Sequence, residues 1–407
     1  MAKTKVVVVT HTMPRYAGDP AAAFMTGLGN GLVDAGLDVT FLAPWHAKFR
    51  KNPQQKFRTV TYHYFPIRSL ETFGYSGALE GDMKIRPWQM VLAPIILFFG
   101  TFTLIRLIRR EQVQIVSAHW LVPNGVIAAI AKMFTHVTTH VSLPGSDVFL
   151  AQRNPLVRPF AVWAARRADL ITSNSPALAK DLQTLGVRKM IKLMVYGVEP
   201  TEFRAATESA RRRTRNNTET EKVTILGVGR LVPKKGFHIL IAAFARITKK
   251  FRAAKLILVG DGSERRALEQ QTRSLGIEHQ VTFTGTASTS QLKKHYQNAD
   301  IFVLPSVRDE RGNLDDQSVV SLEAMASGLP VITTDFPGYR LTINHAQTGY
   351  LFKEGSVEEL ATYLTNLLIH ANIRATMGAA ARKAVARQFS WRAIGKQYRN
   401  LFEHETK

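Results

Sequence analysis

The run Gly227-Val228-Gly229-Arg230-Leu231-Val232-Pro233-Lys234-Lys235-Gly236 joins an apolar stretch to a helical pattern through glycines and bases. Glycine lets backbone approach a ligand closely, and the N-terminus of a helix favours an anion. The guanidinium fork of Arg230 and the point charge of Lys235 suit the two phosphates of a diphosphate. Taken alone, the loop reads equally as a tight strand–helix turn with two surface bases. A second stretch, Asp315-Asp316-Gln317-Ser318-Val319-Val320-Ser321-Leu322-Glu323, opens a helical pattern with carboxylates at both ends. At ~100° per residue a two-turn spacing predicts Asp315 and Glu323 on one helix face. Glu323, the deeper, can accept from ribose hydroxyls, and Asp315 from sugar hydroxyls. The first-turn amides of Ser318, Val319 and Val320 then offer donors to the phosphates or sugar. The plain alternatives are a salt-bridged helix glutamate and an N-terminal cap.

These segments need a scaffold that brings loops to one end of a sheet. Apolar runs alternate with helical patterns throughout. Strands are predicted at Lys5–Val9, Val39–Ala43, Gln114–Val116, Thr138–Ser142 and Asp169–Thr172, with a helix at Ala22–Ala35. A second series follows: strands Val223–Val228, Lys255–Val259, Val281–Phe283, Ile301–Leu304 and Val331–Thr333, and helices Gly236–Phe251, Ser263–Gly276 and Val319–Ser327. Repeated strand–helix–strand spacing implies parallel sheets covered on both faces. The fold class is therefore α/β, with two doubly wound domains in series facing a central cleft at the carboxyl ends of their strands. The polar stretch 199–222, with Arg211-Arg212-Arg213 and Asn216-Asn217, reads as the join.

With 407 residues the chain suits two domains, and 45% apolar with 21% charged residues is ordinary globular composition. There is no cysteine, which excludes disulfide scaffolds, thiolate metal sites and a cysteine nucleophile. Asp315 and Asp316 are adjacent rather than convergent, and no histidine pair lies near them at ligand spacing, so no metal and no cofactor is expected. The charge of +23 favours anionic partners, membrane or nucleic acid, but no basic platform interleaved with aromatics appears, so nucleic acid is not expected. Val6–Val9 is too short for a signal core, which points to the cytoplasm. Trp88–Ile105 is nearly all apolar and is followed by Arg106, Arg109 and Arg110. A spanning helix there would divide the first sheet, so a buried or interfacial helix is expected. Trp88 and the arginines suit an anionic membrane surface.

Four elements resemble glycosyltransferase family 4, of the GT-B fold. They are Gly229–Gly236; Leu258-Val259-Gly260-Asp261-Gly262 with Val281–Gly285; the segment ending Glu323-Ala324-Met325-Ala326-Ser327-Gly328; and Phe389-Ser390-Trp391. The resemblance implies that Arg230 and Lys235 clamp the diphosphate and that Glu323 holds the nucleotide ribose. Asp315 stands where the family most often has glutamate against the donor sugar. In the first half, Gly18 matches the early loop beside the donor phosphates, and Asp19 and Pro20 replace a second glycine found in many members. Ser117-Ala118-His119-Trp120 resembles the family's His-bearing strand end, and Gly145-Ser146-Asp147 its Gly-x-Asp loop. Asp19, His119 and Asp147 are thus acceptor-side candidates, although a packed, satisfied His119 is an equal reading.

The resemblance implies an acceptor domain at 1–198, a donor domain at 199–390 and a last helix, 391–407, returning to the first domain. It implies transfer from a nucleotide-diphosphate sugar with retention, to an acceptor such as a lipid-linked glycan or glycolipid in polysaccharide biosynthesis. The cytosolic face of a membrane is the expected place. The alternative from the charge is a basic membrane- or nucleic-acid-binding protein that keeps an inactive sugar-nucleotide site.

Overall fold

A computed structural model describes residues 3–405 except 20, 69–70, 72, 74, 76–86, 204–221, 311 and 313. Pro20, Arg211-Arg212-Arg213 and Asn216-Asn217 lie outside the described residues. The chain divides into two units, residues 1–197 with 391–407, and residues 198–390.

Among the described residues, unit 1 is built on seven parallel strands: β1 (Lys5–Val9), β2 (Asp38–Pro44), β3 (Arg58–Tyr62), β4 (Ile115–His119), β5 (Thr138–Leu143), β6 (Leu170–Ser173) and β7 (Lys192–Leu193). Their order is β3-β2-β1-β4-β5-β6-β7. The helices are α1 (Phe24–Asp34), α2 (Pro87–Glu111), α3 (Val126–Phe134), α4 (Ser146–Arg153), α5 (Arg158–Arg167) and α6 (Pro176–Thr184). β1 shows why a valine run suits this position. Val7 and Val9 enter a core with α2 and α3, while Val6 and Val8 enter the core on the opposite face. A strand covered on both sides has no polar face to alternate.

Among its described residues unit 2 has six parallel strands: β8 (Thr224–Val228), β9 (Lys255–Val259), β10 (Val281–Gly285), β11 (Ile301–Leu304), β12 (Val331–Thr334) and β13 (Gly349–Phe352), ordered β10-β9-β8-β11-β12-β13. Its helices are α7 (Phe237–Thr248), α8 (Arg265–Ser274), α9 (Thr289–Asn298), α10 (Val319–Ala326), α11 (Val357–Ile369) and α12 (Ala371–Ala384). The strand order reverses between β8 and β11, and in open α/β sheets the carboxyl ends of the strands at such a switch point are where ligands bind.

The last helix, α13 (Trp391–Glu405), packs on α1 of unit 1. The crossing is close because glycines face it. A Cβ on Gly31 would lie 2.2 Å from the Trp391 carbonyl oxygen, and one on Gly395 2.0 Å from that of Gly31. Trp391 fills the space beside Gly27 and Gly197.

Most predicted elements stand within two residues of their expected ends. α1 and α7 are trimmed by two or three residues at one end. β3, β7 and β13 were not anticipated. One expectation is corrected: Asp315 is not on the helix. α10 begins at Val319, and its N-cap Ser318 is extended with φ −132° and ψ 133°. Asp315 therefore projects from the connecting segment and Glu323 from the helix, and the two carboxylates do not share a helix face.

Candidate active site

The site in unit 2 is assembled from the loops after β8 and β11 and from α10. Gly236 adopts φ 64°, and a Cβ there would lie 2.0 Å from the Pro305 carbonyl oxygen. Only glycine permits this approach. The Val307 amide donates to the Lys234 carbonyl at 2.9 Å, which fixes the two loops together. Their junction buries Lys235 and aims its ammonium at Asp315, with Nζ 2.6 Å from Oδ2. Ser306 Oγ and Tyr339 Oη each donate to the same carboxylate oxygen at 3.4 Å, and lie 3.2 Å from each other.

Burial alone would raise the Asp315 carboxyl, but Lys235, Lys234 and Arg230 hold it below its ordinary value. It is an anion surrounded by cations. Arg230 is exposed, so its guanidinium can meet a ligand without first being uncovered.

Glu323 sits in a different environment. Tyr296, fully buried on α9, donates its hydroxyl to Glu323 Oε2 at 2.8 Å. Burial pushes the Glu323 carboxyl up to about 7; the Tyr296 hydrogen bond opposes the shift, the nearby Glu202 adds to it, and Lys293 opposes it. Glu202 and Lys293 pair at 2.7 Å. Ser318, Val319 and Val320 form the first turn and cap of α10, where amides lie beyond the reach of intrahelical carbonyls. Beside them Gln317 is buried, with neither side-chain polar atom hydrogen-bonded among the described residues.

Tyr296, Ser306, Tyr339 and Gln317 were not singled out from sequence. Ser306 follows a predicted strand end, which was the one available signal. Tyr296 and Tyr339 come from elements with no spacing relation to the carboxylates. Among the described residues no three His, Cys, Asp or Glu side chains gather as a metal site.

In unit 1 the candidates stand at the carboxyl ends of the sheet. Gly18 adopts φ 86°, with nothing within 4 Å of a Cβ. Asp19 is buried against Arg15: its Oδ2 accepts from Nε at 2.6 Å and from the Arg15 amide at 3.0 Å, and its Oδ1 from Nη2 at 3.1 Å. It also accepts the Ala21 amide, at 3.2 Å, so it braces the early loop. Asp147 accepts the Leu121 amide at 2.7 Å and is buried, which raises its carboxyl. It thereby fixes the turn that follows His119. His119 is buried and neutral, pushed down to about 3, and its Nε2 has no hydrogen-bond partner among the described residues. Asn124 donates to the His119 carbonyl at 2.5 Å and lies 3.0 Å from His11 Nδ1.

The family described as "Glycosyltransferase Family 4" matches residues 21–202, and that described as "Glycosyl transferases group 1" matches residues 208–384. The chain is 32% identical over 287 residues to a GDP-mannose-dependent monoacylated alpha-(1-6)-phosphatidylinositol monomannoside mannosyltransferase of Corynebacterium glutamicum, covering 69% of this chain and 71% of that protein. It is 24% identical to N-acetyl-alpha-D-glucosaminyl L-malate synthase of Bacillus anthracis, over 93% of this chain and 92% of that one. Among solved structures, sucrose-phosphate synthase from Thermosynechococcus elongatus superposes with a TM-score of 0.73 at 21% identity, covering 99% of each chain. Anabaena HepE in complex with UDP and glucose gives 0.69 at 20% identity, over 98% and 99%. These likenesses support an enzyme and not a binding protein with an inactive site. The chain belongs to glycosyltransferase family 4, and is a nucleotide-sugar-dependent glycosyltransferase of the GT-B fold.

Proposed function

We propose that the enzyme transfers a hexosyl group, with retention of anomeric configuration and without a metal, to a lipid-linked acceptor at the cytosolic face of a membrane. The observation that carries the donor half is the burial of Lys235 where the loops after β8 and β11 meet, with its ammonium on Asp315 and the charges of Lys234 and Arg230 near enough to lower the same carboxyl. A leaving diphosphate develops negative charge there, and preorganised cations stabilise it without a metal. Glu323 would hold the ribose. Asp315 would meet the donor sugar once the diphosphate competes for Lys235.

Retention follows from a front-face displacement. The bond from anomeric carbon to phosphate oxygen breaks, the acceptor oxygen bonds on the same face, and the acceptor proton passes to the leaving phosphate. The lipid-linked acceptor is supported by the Corynebacterium relative, whose name specifies a phosphatidylinositol monomannoside. Incubation with GDP-mannose, UDP-glucose and UDP-N-acetylglucosamine, with a membrane lipid extract as acceptor, tests the reading. One donor is expected to label a lipid product with an axial anomeric linkage by proton NMR, in the presence of EDTA. An inverted product, or complete inhibition by EDTA, contradicts it.

A further inference from the structure

The outer side of unit 1 carries a surface that the donor site does not use. The inner side of α2 is buried: Ile96, Leu104, Leu107 and Ile108 pack into the core shared with α3. The outer side is apolar as well. Phe98 is 66% exposed and Phe102 60%, their rings stacked at 6.5 Å, with Phe99 edge-on to Phe98. The end of α3 adds Met133 and Phe134, each 58% exposed. Arg109 Nη2 donates to the Phe134 carbonyl at 3.3 Å, tying the end of α3 to the last turns of α2. Clustered aromatic exposure of this kind marks an interaction surface.

Directly beyond it, Phe102, Ile105, Arg106, Arg109 and Arg110 line an open groove of about 440 Å³. Among the described residues none of these arginines forms an ion pair; the neighbouring Glu111 is taken by Arg58. The groove wall is mainly apolar, and the three arginines at it are exposed, which suits a ligand with an anionic head and hydrocarbon behind it.

We infer that this surface docks the enzyme on an anionic phospholipid bilayer, with the phenylalanines of α2 and α3 in the interface and a lipid phosphate in the arginine groove. The inference rests on the lipid-linked acceptor proposed above and specifies the contact surface and the lipid charge. α2 has the length and hydropathy to cross a membrane. However, β3 before it and β4 after it belong to one parallel sheet, so both of its ends lie on the same side of any bilayer. The helix lies on the membrane rather than through it.

Co-sedimentation of the full chain with phosphatidylglycerol and phosphatidylcholine vesicles tests this. Binding to phosphatidylglycerol is expected at low salt, about tenfold or more tighter than to phosphatidylcholine, and weakening as salt rises. The pair F98S and F102S should lose binding at every salt concentration. The pair R106Q and R110Q should lose the preference for the anionic lipid. Inorganic phosphate should not substitute for vesicles. Thermal shift by UDP or GDP should be unchanged in all variants, which shows that they are folded. Negligible binding to both vesicle types at low salt, or wild-type binding by F98S/F102S, overturns the inference, as does a wild-type dimer that F98S/F102S converts to monomer. Absence of vesicle binding with sugar transfer retained in detergent removes this surface alone. Absence of transfer from every donor with vesicle binding retained removes the acceptor reading and leaves the surface.

Discussion

The Lys235 ammonium lies 2.6 Å from Asp315 Oδ2, so the cation expected on the diphosphate and the carboxylate expected on the sugar hold each other. Each is the other's placeholder. On the proposed reading, a diphosphate would bring a competing anion to Lys235 and leave Asp315 free to accept from sugar hydroxyls.

This pair predicts a coupled stability. Lys235→Ala strands a largely buried carboxylate, whose cost is of order 3 kcal/mol when a buried pair is broken from one side. Lys235→Ala with Asp315→Asn removes the stranded charge. The double variant should melt higher than Lys235→Ala alone, by differential scanning calorimetry, while both lose turnover. Simple additivity of the two single changes would show that the pair does not interact.

Glu323 predicts a pH dependence. Its carboxyl titrates near 7 in the folded chain against an ordinary 4.5. Between these values the unfolded chain has lost the proton and the folded chain keeps it, so stability at this group falls as pH rises and the contribution is gone above 7. Ribose binding runs the other way. The carboxylate accepts hydroxyl protons better than the acid does, so nucleoside diphosphate affinity should rise by several-fold between about pH 6 and pH 8. Calorimetric titration of wild type and Glu323→Gln separates this from titration of the nucleotide. Parallel pH profiles in the two proteins would remove Glu323 from the ribose site.

The crossing of α1 and α13 predicts a purely structural effect. A Cβ on Gly395 would meet the Gly31 carbonyl at 2.0 Å. Gly395→Val must therefore push the helices apart, at a cost of about 1–3 kcal/mol or more for overpacking. The melting temperature should fall and the last helix should become sensitive to limited proteolysis, with nucleotide binding retained at low temperature. An unchanged melting temperature would show that the crossing has slack.

The strands of the two sheets were legible where apolar residues run together, as in Val6–Val9 and Ile301–Leu304, because strands buried on both faces need apolar residues without interruption. β13 was missed because it opens with glycine, and β3 because its Arg-Thr-Val-Thr-Tyr pattern is half polar. The basic loop was legible because glycine and base types cluster locally. Asp315 is misplaced because Asp-Asp-Gln-Ser can extend a helix or precede its cap, and the residue types alone do not choose; in the structure the helix begins only after Ser318. Tyr296 and Tyr339 reach the two carboxylates only through tertiary structure, and no spacing along the chain announces them.

If the loop after β8 holds the phosphates and α10 the ribose, calorimetric affinities for UDP, GDP and the corresponding monophosphates in wild type, Lys235→Ala and Glu323→Gln will separate the two contacts. Wild type should bind one diphosphate about tenfold or more tighter than its monophosphate, since the second phosphate adds a charge-assisted contact. Lys235→Ala should erase that preference, and Glu323→Gln should weaken both nucleotides equally. If Lys235→Ala keeps the full preference for the diphosphate, the loop after β8 is not the phosphate site.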